Sequence, residues 1–277
     1  MAAGIETRRR AYADAVADAA GVASPRIHAA FATVPRERFL APPPWTIFEP
    51  SGLAPKVTFD PADLYQDALV AIDPDRRINN GQPSLHARWL AAVDPQSGER
   101  VVQIGAGTGY YTALLAELVR PTGRVDAYEI ATDLAEIARA NLRPYADVTV
   151  HAASAVGTPL PTADLIYVAA AAPVPDPAWL TALTPGGRLV MPWEPGTESG
   201  GVSLLVRREA AGFSATPTTL VGFIACEGLE ACPSARVSLG AMLATRSLWR
   251  VADRAPDETA TAVFTDLWFS SRPLDGT

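Results

Sequence analysis

Val101-Val102-Gln103-Ile104-Gly105-Ala106-Gly107-Thr108-Gly109-Tyr110-Tyr111 decides the fold. The first four residues read as a buried strand and Tyr111 to Val119 as a helix, so three glycines stand where a strand turns into a helix. Glycine lets the backbone approach a ligand closely, and the first turn of a helix offers N–H groups that have no partner within the helix. The spacing Gly-x-Gly-x-Gly puts the third glycine at 109, whereas the dinucleotide pattern needs it at Tyr110, which argues against NAD or FAD. No Gly-Lys-Ser/Thr follows the loop, which argues against a phosphate-gripping ATP site. Glu129 stands near the end of the next strand, Arg124 to Ile130, where a carboxylate accepts hydrogen bonds from both ribose hydroxyls of an adenosyl ligand. A tight turn and a surface carboxylate explain each feature singly; their joint placement favours nucleotide binding.

The pattern continues on both sides of this unit. Downstream, Leu134, Ile137, Ala138 and Leu142 form a helical stripe, Val148-Thr149-Val150 a third strand and Asp164 to Ala169 a fourth. Asp176-Pro177 supplies a cap and first-turn proline for a helix through Leu183, and Pro185-Gly186-Gly187 turns into a fifth strand, Leu189-Val190-Met191. Parallel neighbours need crossover connections, so this alternation implies an α/β, Rossmann-like fold: a mostly parallel sheet with helices on both faces. Val202 to Arg207 and Thr219 to Ile224 alternate like antiparallel strands, and Ala262 to Phe269 adds another after a helical stretch near Ala241. Upstream, Ile5 to Ala20 reads as an amphipathic helix and Pro25 to Phe31 as a second. Pro42 to Asp75 is rich in proline and poor in periodicity, and reads as an irregular covering segment that shapes a pocket. Leu85, Ala87, Trp89, Leu90 and Val93 then make an apolar helix leading to the turn at Pro95-Gln96-Ser97-Gly98. The expected organisation is a substrate-side segment over 1-94, the core over 95-228, and a C-terminal extension over 229-277 packed on it.

Composition removes several function classes. A net charge of −7 supplies no basic field to displace counterions, so nucleic acid is not the expected partner, and Arg8-Arg9-Arg10 reads as a solvated helix face. Cys226 and Cys232 lack zinc-site spacing and read as ordinary thiols. No signal-peptide pattern and no run of about 18 apolar residues occurs, so no membrane partner is expected and a cytoplasmic location follows by default. His28, His86 and His151 are scattered, read as packing or surface residues, and make neither a triad nor a metal cluster. The six tryptophans read as packing, because no basic groove accompanies them. The oligomeric state is left open.

Several separated segments carry a family likeness: Val34-Pro35-Arg36-Glu37-Arg38-Phe39, Tyr65-Gln66-Asp67, Gln82-Pro83-Ser84-Leu85-His86-Ala87, Val101 to Val119, Asp164 to Pro173 with its alanine run, and Leu183 to Val190. Over roughly Val34 to Gly228 the chain resembles the protein-L-isoaspartate O-methyltransferases. The resemblance implies S-adenosylmethionine as cofactor, held by Gly105, Ala106, Gly107, Thr108, Gly109 and Glu129 with Ala153 and Ser154, and a peptide or small-molecule acceptor bearing a carboxylate. Methyl transfer from a sulfonium is an in-line displacement, and a carboxylate, with an unperturbed pKa of about 4, needs no general base.

Two positions depart from the family pattern. Gly81 stands where the family usually carries a serine that helps hold the substrate carboxyl region, and Ala152-Ala153-Ser154 stands where a glycine-flanked aspartate usually accepts a hydrogen bond from the adenine amine. Asn79 and Asn80 either donate amide hydrogen bonds to the acceptor carboxylate in place of the hydroxyl or form a plain turn. Asp67 either contacts the substrate backbone or ties down the irregular segment. Gly81→Ser is expected to restore the missing donor, provided the backbone does not need a positive φ. Three readings follow: an isoaspartyl carboxyl methyltransferase, a methyltransferase of the same lineage redirected to another acceptor, and a cofactor-binding protein without catalysis.

Overall fold

The computed structural model describes residues 2–48, 54–196, 200–229 and 236–274; Cys232 lies outside them. In chain order the elements are α1 (Ala2–Ala20), α2 (Pro25–Thr33), β1 (Trp45–Phe48), β2 (Lys56–Thr58), β3 (Leu69–Asp73), β4 (Ile78–Asn79), α3 (Pro83–Val93), β5 (Arg100–Ile104), α4 (Tyr110–Val119), β6 (Arg124–Glu129), α5 (Thr132–Asn141), β7 (Val148–Ala152), β8 (Ala163–Val168), α6 (Pro177–Ala182), β9 (Leu183–Trp193), β10 (Gly201–Glu209), β11 (Gly212–Val221), α7 (Leu239–Ala244), β12 (Ser247–Arg250), β13 (Ala260–Val263) and β14 (Leu267–Ser270). They gather into two compact units. The first comprises Met1–Gly98, Ala106–Val125 and Ala131–Ala152; the second comprises Glu99–Gly105, Asp126–Ile130 and Ala153–Thr277.

In the first unit, α2 starts where Ser24 accepts the Ile27 N–H and Pro25 presets the first turn, and it buries Ile27, Ala30 and Phe31. Helix α3 also opens on a proline, buries Ala87, Trp89, Leu90 and Val93, and stops at Asp94, which turns left-handed at φ 41°. Burying an apolar side chain of leucine size contributes about 1.5–3 kcal/mol, so Trp89 and Leu90 anchor the helix. The segment expected to be irregular is instead part of an ordered antiparallel sheet in the order β2-β1-β3-β4, with Trp45, Ile47, Leu64, Ala68 and Val70 as its own small core. Its strands are two to five residues long and separated by proline-containing connections, so period-2 alternation has no room to show. Fully buried Arg36 ties the segment together by donating to the carbonyls of Leu64, Gln66 and Ala68 at 2.7, 2.9 and 2.6 Å.

In the second unit β5, β8 and β9 run parallel, Val102 opposite Ile166 and Ile166 opposite Leu189, with β6 on the far side of β5. From β9 onward the pairing is antiparallel, through β10, β11, β12 and β14 to β13. The α/β class therefore holds, with antiparallel strands toward the C-terminus. The Pro185-Gly186-Gly187 turn lies inside β9: Leu183 pairs with Ala163 and Arg188 with Leu165, so the intervening residues bulge out with Gly186 at φ 77°. Asp176 caps α6 by accepting the Ala178 N–H at 2.7 Å, as its sequence position suggests. The stretch Ala262 to Phe269, read as one strand, is the hairpin β13–β14; both its arms are apolar, and no Asn-Gly or Asp-Gly pair marks the turn. The residues after 236 thus extend the same sheet, and Met242, Leu248, Ala262, Leu267 and Phe269 join its core.

Candidate active site

In the second unit the ends of β5 and β6 meet. Gly105 donates its N–H to the Tyr128 carbonyl at 3.0 Å, and Ala153 donates to the Glu129 carbonyl at 3.1 Å. Gly105 sits at φ 76°, a left-handed value that favours glycine, and a Cβ on it would lie 3.4 Å from the Ala169 backbone, in ordinary contact. Glu129 is buried at 7% exposure, with its carboxylate at the C-terminal end of β6. This is the end of the sheet at which open α/β folds place their ligands. Ser154 closes a local turn, its hydroxyl accepting the Val156 N–H at 3.1 Å. The alanine run is held between strands: Ala171 donates to Ile224 and accepts from Cys226, both at 2.7 Å, while Ala172 donates to Pro192 and accepts from Glu194, both at 3.0 Å. Burial, reinforced by the carboxylates of Asp176, Glu129 and Glu227, pushes the Cys226 thiol up to about 11, which keeps it protonated and unreactive near neutral pH.

The rest of the glycine loop belongs to the first unit. Gly107 and Gly109 adopt φ 55° and 98°, left-handed values that favour glycine, and a Cβ on Gly109 would stand 2.8 Å from Leu142 Cδ1, so that side chain would have to shift. Gly109 is the N-cap of α4, and no side chain caps that helix. The Thr108 hydroxyl donates to the Phe39 carbonyl, and the Asn141 amide donates to the Thr108 carbonyl at 3.0 Å. Ala106 is buried at 7% exposure.

The residues expected on the acceptor side, Asp67, Asn79, Asn80 and Gly81, also lie in the first unit, and their hydrogen bonds are mostly internal. Asp67 accepts the Ser84 N–H and hydroxyl, both at 2.7 Å, and the Gln82 amide at 3.0 Å, so it fastens the start of α3. Asn80 is 6% exposed, and its Oδ1 accepts from Arg36 and from the Val70 N–H, each at 3.0 Å. Asn79 accepts the Gly81 N–H at 2.9 Å, the turn its sequence allowed. Gly81 has φ 71°, and a Cβ there would overlap His86 Nε2, lie 3.0 Å from His86 Cδ2 and lie 3.3 Å from Tyr111 Cε2. The proviso attached to Gly81→Ser is therefore not met: the backbone is left-handed and the space is filled.

His86, read from the sequence as a packing or surface residue, and Tyr111 fill that space. His86 is 1% exposed and stacks on Tyr111 with ring centroids 3.5 Å apart and planes 13° from parallel, while Tyr111 Oη donates to the Gly81 carbonyl at 3.3 Å. Burial, with the nearby Arg36 charge, depresses the imidazole to about 3, so it is neutral. The available signal was the interval of five residues between a glycine and a lone histidine inside an apolar helix. Among the described residues no group of three or more His, Cys, Asp or Glu side chains is placed to hold a metal, and no helix is long and apolar enough to cross a membrane.

A parallel strand–loop–helix unit with an acidic residue at the end of the next strand, continued by antiparallel strands, defines the Rossmann-like methyltransferase fold. The sequence profile of the protein-L-isoaspartate(D-aspartate) O-methyltransferase family matches residues 11–231, and the chain belongs to that family. A protein-L-isoaspartate O-methyltransferase of Aeropyrum pernix is 40% identical over 176 residues, 62% of this chain and 61% of that protein, so the match spans less than two thirds of that relative's length. One from Bordetella parapertussis is 33% identical over 210 residues, 74% of this chain and 72% of the relative. Among solved structures, a protein-L-isoaspartate O-methyltransferase matches 89% of this chain and 82% of its own with a TM-score of 0.65 at 21% identity. A Plasmodium falciparum beta-aspartate methyltransferase in complex with S-adenosyl-L-homocysteine matches 79% of this chain and 98% of its own with a TM-score of 0.64 at 16% identity. At these identities the structures speak for the fold.

Proposed function

We propose that the protein is an S-adenosylmethionine-dependent O-methyltransferase that esterifies a carboxylate on a peptide or small molecule. The observation that carries this reading is the glycine loop: three left-handed glycines lead into a helix start that no side chain caps, and the next strand ends in a buried glutamate. These residues suit an adenosyl group and an amino-acid moiety. Glycines leave room beside the backbone, the N-terminus of α4 favours a carboxylate, and Glu129 is a suitable acceptor for ribose hydroxyls. When bound, S-adenosylmethionine would supply an electrophilic methyl on sulfur for transfer to the acceptor oxygen, with S-adenosylhomocysteine as the leaving group. The chain's own part is to align the carboxylate with that methyl and exclude water. No general base is required of it, which fits the depressed, neutral His86.

Asn79, Asn80 and Gly81 are proposed to border the acceptor through the loop that they form, and Asp67 to set that loop against α3. The filled space at Gly81 favours a second reading, in which the family chemistry is retained and the acceptor differs from an isoaspartyl peptide. Calorimetry should detect S-adenosylhomocysteine binding at micromolar affinity, on the order of −8 kcal/mol. Transfer of labelled methyl to a base-labile ester should follow with an isoaspartyl peptide or with acidic peptides from a cell extract. Absence of binding, or tighter binding of NAD, sinks the assignment.

A further inference from the structure

We propose that His86 is the positioning residue for the acceptor loop, and that Gly81 and His86 form one specificity device that neither residue provides alone. The proposal rests on the methyltransferase reading above. Three groups hold the Gly81 residue from different sides: Asn79 Oδ1 takes its N–H at 2.9 Å, Tyr111 Oη donates to its carbonyl at 3.3 Å, and the His86 ring stands where a side chain on residue 81 would begin. The imidazole is in turn fixed by its stack on Tyr111 and by Trp89, whose ring centroid lies 5.4 Å away. A left-handed φ of 71° completes the arrangement, because a residue with a Cβ rarely adopts it.

The consequence is chemical as well as steric. A hydroxyl at position 81 is excluded while His86 is present, and the polar group adjoining this loop is an aromatic nitrogen ring, neutral across the physiological range. The wall next to residue 81 is thereby planar and rigid. Such a wall suits a carboxylate acceptor that takes its hydrogen bonds from groups other than residue 81, whose N–H is already given to Asn79 Oδ1. It does not suit one that needs a hydroxyl donor from residue 81.

The test compares the full-length wild type with Gly81→Ser, His86→Ala, His86→Gln and the double variant Gly81→Ser/His86→Ala. Thermal stability, S-adenosylhomocysteine binding, and kcat and KM for methylation of an isoaspartyl hexapeptide are measured for each. Gly81→Ser alone is expected to lower stability without raising isoaspartyl turnover. In the double variant the overlap with the ring is removed while the strain of the left-handed φ remains: the stability loss should be smaller than the sum of the two single losses, and kcat/KM should rise about tenfold over Gly81→Ser, mainly through KM. His86→Gln, which keeps an N–H donor at similar reach, should stay closer to wild type than His86→Ala in both readouts. Additive effects in stability and in kcat/KM overturn the proposal. So does a double variant that recovers stability and binds S-adenosylhomocysteine yet gains no isoaspartyl turnover. Failure of every protein, wild type included, to bind S-adenosylhomocysteine would instead remove the underlying function, while coupled stability would still establish the packing of residues 81 and 86.

Discussion

Asp67 grips Ser84 twice, taking the backbone N–H on Oδ1 and the hydroxyl on Oδ2, each at 2.7 Å. Ser84 is the second residue of α3, so the carboxylate satisfies one of the helix's unpaired first-turn donors and places negative charge at its positive end. Asp67→Ala should therefore destabilise the protein by about 1–3 kcal/mol in urea unfolding, and S-adenosylhomocysteine affinity should stay at the wild-type value. An unchanged stability together with a large rise in acceptor KM would transfer Asp67 from helix cap to substrate contact.

Glu129 makes the complementary case. Its buried carboxylate has been placed at the strand end proposed to hold the ribose. Glu129→Ala should weaken S-adenosylhomocysteine binding by roughly 1.5–3 kcal/mol, or about 10- to 150-fold in Kd. Calorimetry reads this directly, and an affinity within error of wild type would remove Glu129 from the proposed cofactor site.

The base of the central strands is fastened by Arg188 and Glu99, whose two N–H···O contacts measure 2.7 and 2.8 Å in a bidentate pair. Arg188 also donates to the Asp164 carbonyl at 3.1 Å, and its side chain is only 7% exposed. Glu99→Ala leaves that guanidinium without its counter-charge and should cost about 3 kcal/mol. The denaturation midpoint is the measurement, with S-adenosylhomocysteine affinity at saturating folded protein as the control.

The parts of the fold that were legible in the sequence share a physical property: their signal is local. Glycines at φ 76°, 55° and 98°, the Asp176 cap and the apolar run of β5 each carry their cause within a few residues. What escaped reading depends on partners far away in the chain. The β1–β4 sheet is organised by Arg36 through carbonyls 28 to 32 residues distant, and β12 finds its place only by pairing with β11 and β14. Thr108 illustrates the same limit within the proposed site: its place in the loop was evident, but the Phe39 carbonyl that engages its hydroxyl lies 69 residues away. Gly81 was visible as a departure, whereas the reason for it required the ring of His86 in three dimensions.

That ring should also be measurable as a proton linkage. The imidazole is fully buried, faces Tyr111 and Trp89, and lies in the field of Arg36; desolvation first, then that positive charge, takes it from 6.5 down to about 3. Between these values the unfolded chain binds a proton at His86 and the folded chain does not, so unfolding takes up a proton and stability falls as pH falls. The contribution is fully present above pH 6.5 and is lost progressively toward pH 3. Its slope is about 1.4 kcal/mol per pH unit, the value for one proton. Carboxylates titrate in the lower part of the same range, so the informative quantity is the difference between wild type and His86→Gln, which lacks the titrating group. Urea unfolding from about pH 7 to about pH 5 should show the variant less stable than wild type at the upper end and the gap narrowing steadily on acidification. Parallel stability curves for the two proteins would mean that His86 titrates in the fold as it does in the unfolded chain, and would remove the desolvated ring beside Gly81.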